Sequence, residues 1–109
     1  MNTKLTVILS LTIILISVLA GLFVYDQMPG QVASHWGVGD QVDGYMSKFW
    51  GVFMMPLMSI GILALFLIIP NLDPLKDNIA EFREIFNLFI FVIMLFWAYI
   101  WSLTIFWNL

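Results

Sequence analysis

Charged positions divide this chain into long apolar runs. After Lys4 no charge falls until Asp26, after Lys48 none until Asp73, and after Glu84 none through Leu109. Each gap holds at least the ~20 apolar residues with which a helix crosses a hydrocarbon core about 30 Å thick. A backbone in lipid must satisfy its own hydrogen bonds, so runs of this length read as helices. The pattern predicts an all-α integral membrane protein, a single membrane domain over residues 1–109. Its three transmembrane helices are expected at about 5–24, 49–69 and 85–107, separated by an outer loop, 25–48, and an inner connection, 70–84.

The first run resembles a secretory leader in having Lys4 ahead of it and the small residues Ala20–Gly21 near its end. Its apolar stretch exceeds the ~7–15 residues of a signal core and no A-x-A pattern follows, so it reads as a retained span. The connection Pro70-Asn-Leu-Asp-Pro-Leu-Lys-Asp-Asn reads as a stop and a restart. Asp73 suits a helix cap and Pro74 a first helical position. From there Leu75, Ile79, Phe82 and Phe86 recur at helical spacing, with Asp77, Glu81 and Glu84 on other faces. A continuous helix from Pro74 to Leu109 would rise about 54 Å, more than a bilayer, so it either projects beyond the membrane or bends near Asn78–Glu84.

Small residues decide how closely helices pack in lipid. Thr6, Ser10, Ser17 and Gly21 share a narrow arc of helix 1, and Asn87, Ala98 and Ser102 form a similar stripe on helix 3. These faces are expected to meet, within the chain or across a homo-oligomer; the alternative is that the hydroxyls only back-bond to their own helix. In helix 2, Pro56 predicts a kink, with Met54, Met55 and Met58 filling the irregular space. Trp97, Tyr99, Trp101 and Trp107 read as anchors at headgroup level.

Composition narrows the function classes. The chain is 62% hydrophobic and 10% charged, whereas a soluble domain carries about a quarter charged residues. Seven acids outnumber four bases with no basic run, which excludes a nucleic-acid partner. The absence of cysteine excludes a disulfide framework and a thiolate metal site. Lys4, Lys76 and Arg83 against Lys48 alone predict an inside N-terminus, an outside first loop and an outside C-terminus.

Polar chemistry concentrates in the 24-residue loop YDQMPGQVASHWGVGDQVDGYMSK, which holds the only histidine and three of the seven acids. Pro29-Gly30 is a turn signal. A loop this long without regular structure is usually functional or disordered, and its aromatic residues argue for order. Asp40-x-x-Asp43-Gly44 lacks the alternating acids and distal glutamate of a calcium loop. One histidine without cysteine falls short of a zinc ligand set, so no metal or cofactor is expected. Ser34 beside His35 is sequence adjacency rather than a dyad, and no catalytic residue or enzyme is predicted.

Met28-Pro29, Val32, His35-Trp36, Asp43-Gly44-Tyr45 and Ser47-Lys48 resemble the loop signature of the SdpI family of bacterial immunity proteins, specifically its N-terminal domain of unknown function. Asp73-Pro74 and Asn78 are similar to that family's inner connection. Ala33, Gly37 and Asp40 depart from it, standing where proline, asparagine and glycine are common. The resemblance implies a multi-pass protein of the prokaryotic inner membrane that protects its cell from a secreted toxic peptide and takes part in signalling its presence. Fuller members carry further helices after the third.

Three readings of function follow. In the first, Pro29, His35, Trp36, Asp43, Tyr45 and Lys48 form a surface that binds a toxic peptide or another membrane protein. In the second, the chain is a structural or accessory subunit whose loop only caps the helices. The third is a small transport oligomer, which the shortage of intramembrane ionisable groups disfavours.

Overall fold

The computed structural model describes residues 1–73 and 75–109; the expectation that Pro74 opens a helix lies outside them. Three long helices, α1 (Thr3–Val24), α2 (Lys48–Leu72) and a last one (Arg83–Asn108), are long and apolar enough to cross a membrane. The chain is a multi-pass membrane protein. A six-residue helix, α3 (Lys76–Glu81), precedes the last long helix, α4. Between α1 and α2 come a 3₁₀ turn (Tyr25–Gln27) and two strands, β1 (Gln31–Trp36) and β2 (Val42–Ser47). The ordered loop is therefore a β-hairpin at one end of an otherwise helical bundle, a regularity that the sequence pattern did not predict.

The helix ends follow local chemistry. Asn2 caps α1 by accepting the Leu5 N–H at 2.7 Å. Asp73 accepts the Leu75 N–H at 2.8 Å, and α3 ends at Phe82, whose φ of −116° and ψ of 30° leave the helical region. The bend expected near Asn78–Glu84 falls there, so α3 and α4 are separate elements.

Burial is inverted relative to a soluble bundle. The buried side of α1 is Thr6, Ser10, Ile14, Ser17 and Gly21, while Leu15, Ile16, Leu19 and Phe23 point outward. Small side chains let backbones approach, and exposed Leu, Ile and Phe meet the acyl chains. Ser17 back-bonds to Ile13 O at 2.9 Å, Thr6 to Asn2 O at 2.9 Å, and the buried Ser10 hydroxyl has no partner among the described residues. The face meets two helices: α1 packs along α4, where Asn87 bonds to Thr3, while a Cβ on Gly21 would lie 2.9 Å from Val52 Cγ1 and 3.1 Å from Phe53 Cε1, so Gly21 itself packs on α2. On α4 the buried line is Asn87, Ile90, Met94, Trp101 and Ile105. Ala98 and Ser102 sit half-buried beside it, and Ser102 bonds to Tyr99 O in its own helix.

Two apolar clusters fill the bundle. Met28, Val32, Val52, Phe53, Trp101 and Ile105 pack at the hairpin end, and Ile14, Leu63, Ile90 and Met94 lie deeper. Pro56 is buried in α2 one turn beyond Val52 and Phe53 of the first cluster. Proline has no N–H for the carbonyl four residues back, here that of Val52. The Trp101 indole N–H donates to Val52 O at 2.8 Å, and the Trp97 indole to Met55 O at 3.0 Å. Trp97 and Trp101 are thus inward-facing donors rather than headgroup anchors, whereas Tyr99 and Trp107 are exposed. Met54 and Met55 are half-buried, but Met58 faces outward and fills nothing.

Candidate functional site

The hairpin is shaped by two bulges. Gln31, Val32 and Ala33 pair with Ser47, Met46 and Tyr45, but His35 pairs with Gly44 and Trp36 with Val42. Ser34 is the extra residue on β1 and Asp43 the extra residue on β2. Only glycine fits opposite His35, because a Cβ at position 44 would lie 2.9 Å from His35 Cβ. The displaced Asp43 turns its carboxylate to the His35 ring, Oδ1 against Nδ1. The tip reverses through Gly39 and Asp40, at φ of 86° and 62°, with the Gly37 N–H donating to Gln41 O at 2.8 Å.

Three contacts fasten this hairpin to the bundle. Val32 is fully buried against Gly51 of α2, where an added Cβ would lie 2.5 Å from Val32 Cβ. Asn108, at the end of α4, grips Ala33 on both sides: its Oδ1 accepts Ala33 N–H at 2.8 Å and its Nδ2 donates to Ala33 O at 3.0 Å. The Lys48 N–H closes the base on Gly30 O at 3.0 Å. Neither Gly51 nor Asn108 was singled out from sequence. The signal for Asn108 was an isolated amide ending an apolar helix; for Gly51 there was none.

The six loop residues expected to form one surface are distributed over the hairpin. Pro29 is exposed in the entry turn, and Tyr45 is 60% exposed on β2. His35 Nδ1 and Asp43 Oδ1 are hydrogen-bonded, with side chains 72% and 53% exposed. Lys48 lies half-buried at the start of α2, its Nζ 4.8 Å from the Tyr25 ring centroid. Trp36 is half-buried and meets the ring of Trp107 edge-on, centroids 5.4 Å apart. No third His, Cys, Asp or Glu joins His35 and Asp43 to make a metal cage among the described residues.

Beside the Trp36–Trp107 pair runs a groove of about 510 Å³, lined by Trp36, Asp40, Ile100, Leu103, Thr104 and Trp107. It is apolar along α4 and carries a carboxylate and a hydroxyl. The Trp36 indole N–H, shielded from solvent, has no acceptor among the described residues. Such a groove can take an apolar side chain.

Residues 12–60 match the family model of a domain of unknown function, DUF1648. No curated protein and no solved structure matches the chain. The part of this membrane protein that is similar to DUF1648 is thus the hairpin together with the halves of α1 and α2 that carry it.

Proposed function

We propose that this protein is a membrane-embedded recognition module that binds, rather than transforms, its partner. The hairpin end receives a hydrophobic segment of a secreted peptide or of a neighbouring membrane protein. One observation carries the reading: the hairpin separates fastening from display. Val32 and Ala33 are buried and hold it down, while His35, Val38, Asp43 and Tyr45 are exposed on the same hairpin whose Trp36 and Asp40 line the groove. Aromatic side chains flanked by charges are the usual anchors of such contacts. The SdpI-like loop residues make a toxic peptide the leading partner and immunity or its signalling the leading role. The hairpin would then face outward from a prokaryotic inner membrane, as the distribution of Lys and Arg favours.

A second reading has its own observation. The Asn108 clamp and the Val32–Gly51 seat fit a loop whose only task is to close the helix ends. A benzophenone side chain at Leu103, on the groove wall, separates the two in native membranes. The recognition reading expects a discrete peptide or protein adduct, reduced roughly thirtyfold by Trp107→Ala, since truncating an anchoring aromatic costs about 2 kcal/mol. Adducts to lipid or to the chain itself alone, with folding intact, would leave the cap as the surviving role.

A further inference from the structure

At the opposite end of the bundle, four elements surround a second pocket of about 470 Å³, lined by Thr3, Pro70, Asn71, Lys76, Asp77, Ile79, Ala80 and Arg83. We propose that it holds the phosphate of an anionic phospholipid headgroup, a site independent of the hairpin reading.

Asn87 is fully buried in α4. Its Nδ2 donates to Met1 O at 3.1 Å and to Thr3 Oγ1 at 3.0 Å, and its Oδ1 accepts Arg83 Nε–H at 3.0 Å. The amide is therefore committed on both sides and fixes the guanidinium by one edge. The Arg83 guanidinium also lies over the Phe86 ring, 5.5 Å from its centroid. Its terminal nitrogens remain as a fork, the geometry that receives two oxygens of one phosphate. Among the described residues no carboxylate lies within salt-bridge distance of Arg83. Thr3 Oγ1 accepts from Asn87, which leaves its own hydroxyl proton free to donate. Lys76 adds a second cation, and Asp77 is the single carboxylate of the lining, with Glu81 and Glu84 bordering Arg83 in an adjoining pocket.

Location favours a lipid source over a soluble anion. The pocket lies where α2 ends and α4 begins, the level of headgroups for helices that span a bilayer. Ile69 and Leu72, on either side of Pro70–Asn71, are exposed and give acyl chains an apolar surface beside the phosphate. Basic pockets between transmembrane helices retain anionic headgroups by this combination.

Native mass spectrometry of the detergent-purified full chain, with phosphatidylglycerol, phosphatidylcholine or soluble glycerol phosphate added, tests the assignment. Phosphatidylglycerol should be retained at least about fivefold more strongly than phosphatidylcholine, the effect of roughly one favourable cationic contact. Lys76→Gln should reduce that preference about fivefold and Arg83→Gln should abolish it, with Arg83→Lys keeping part. The Lys76 side chain makes no hydrogen bond among the described residues, so Lys76→Gln carries the test even if Arg83→Gln perturbs folding. Equal retention of the two lipids, or a preference unchanged in Lys76→Gln, overturns the proposal. Displacement of phosphatidylglycerol by an equal concentration of glycerol phosphate also overturns it, by assigning the pocket to a free anion.

Discussion

A proline within an apolar helix creates a local shortage of donors, and lipid supplies none. At Pro56 the shortage falls on the Val52 carbonyl, which the Trp101 indole meets from the neighbouring helix at 2.8 Å. The missing N–H and the helix contact are therefore one interaction: the residue that weakens α2 internally is the one that ties α2 to α4. Trp101→Phe keeps most of the ring volume but leaves the carbonyl without that donor, and should destabilise the protein by about 1–3 kcal/mol. Pro56→Ala restores a backbone N–H four residues after Val52. In that background Trp101→Phe should cost clearly less, and the difference is the coupling read by a double-mutant cycle of thermal unfolding in detergent. Equal costs in both backgrounds would separate the indole contact from the proline.

The hairpin depends on its supports as an element, because two strands alone are marginal in water. Gly51 is one support. Gly51→Ala brings a methyl group into Val32 and should lower stability by about 1–3 kcal/mol, as overpacked sites do. Val32→Ala in the same chain should recover part of that loss in the same unfolding assay. Asn108 is the other support. Asn108→Ala frees both backbone groups of Ala33, so hydrogen exchange at the Ala33 amide should accelerate by about tenfold or more while α2 amides hold their protection. The long helices were legible because an absence of charge over some twenty residues has one physical reading in lipid. The hairpin was not. The bulge at Ser34 breaks the alternation that marks a strand, and the burial along β1 shows no two-residue period; β2 alternates in burial, but its VDGYMS sequence does not alternate in polarity. The chemistry at Trp97 and Trp101 was hidden for another reason: aromatic residues near a helix end fit an interfacial belt equally well, and only the partner carbonyls decide. The same holds for Asn87, whose place in the packing stripe gave no sign of the Arg83 and Thr3 contacts.

At the scale of the whole molecule the protein has two chemically different ends. The hairpin end carries the exposed His35–Asp43 pair and the fully exposed Val38 at its tip. The other end carries Lys4, Lys76 and Arg83, three of the chain's four Lys and Arg residues. Positive residues are retained on the cytoplasmic side during insertion, so this asymmetry predicts a bundle with its hairpin outward. The absence of cysteine makes the prediction simple to read. A single cysteine at Val38 should react with a membrane-impermeant maleimide in intact cells, after removal of the outer membrane where one exists. One at Asn78, exposed in α3, should react only once the membrane is opened. The reverse pattern would place the hairpin in the cytoplasm, where it could not meet a peptide arriving from outside. Recognition of a secreted peptide therefore stands or falls with this labelling, whereas the Arg83 pocket, whose argument rests on local geometry, survives either orientation.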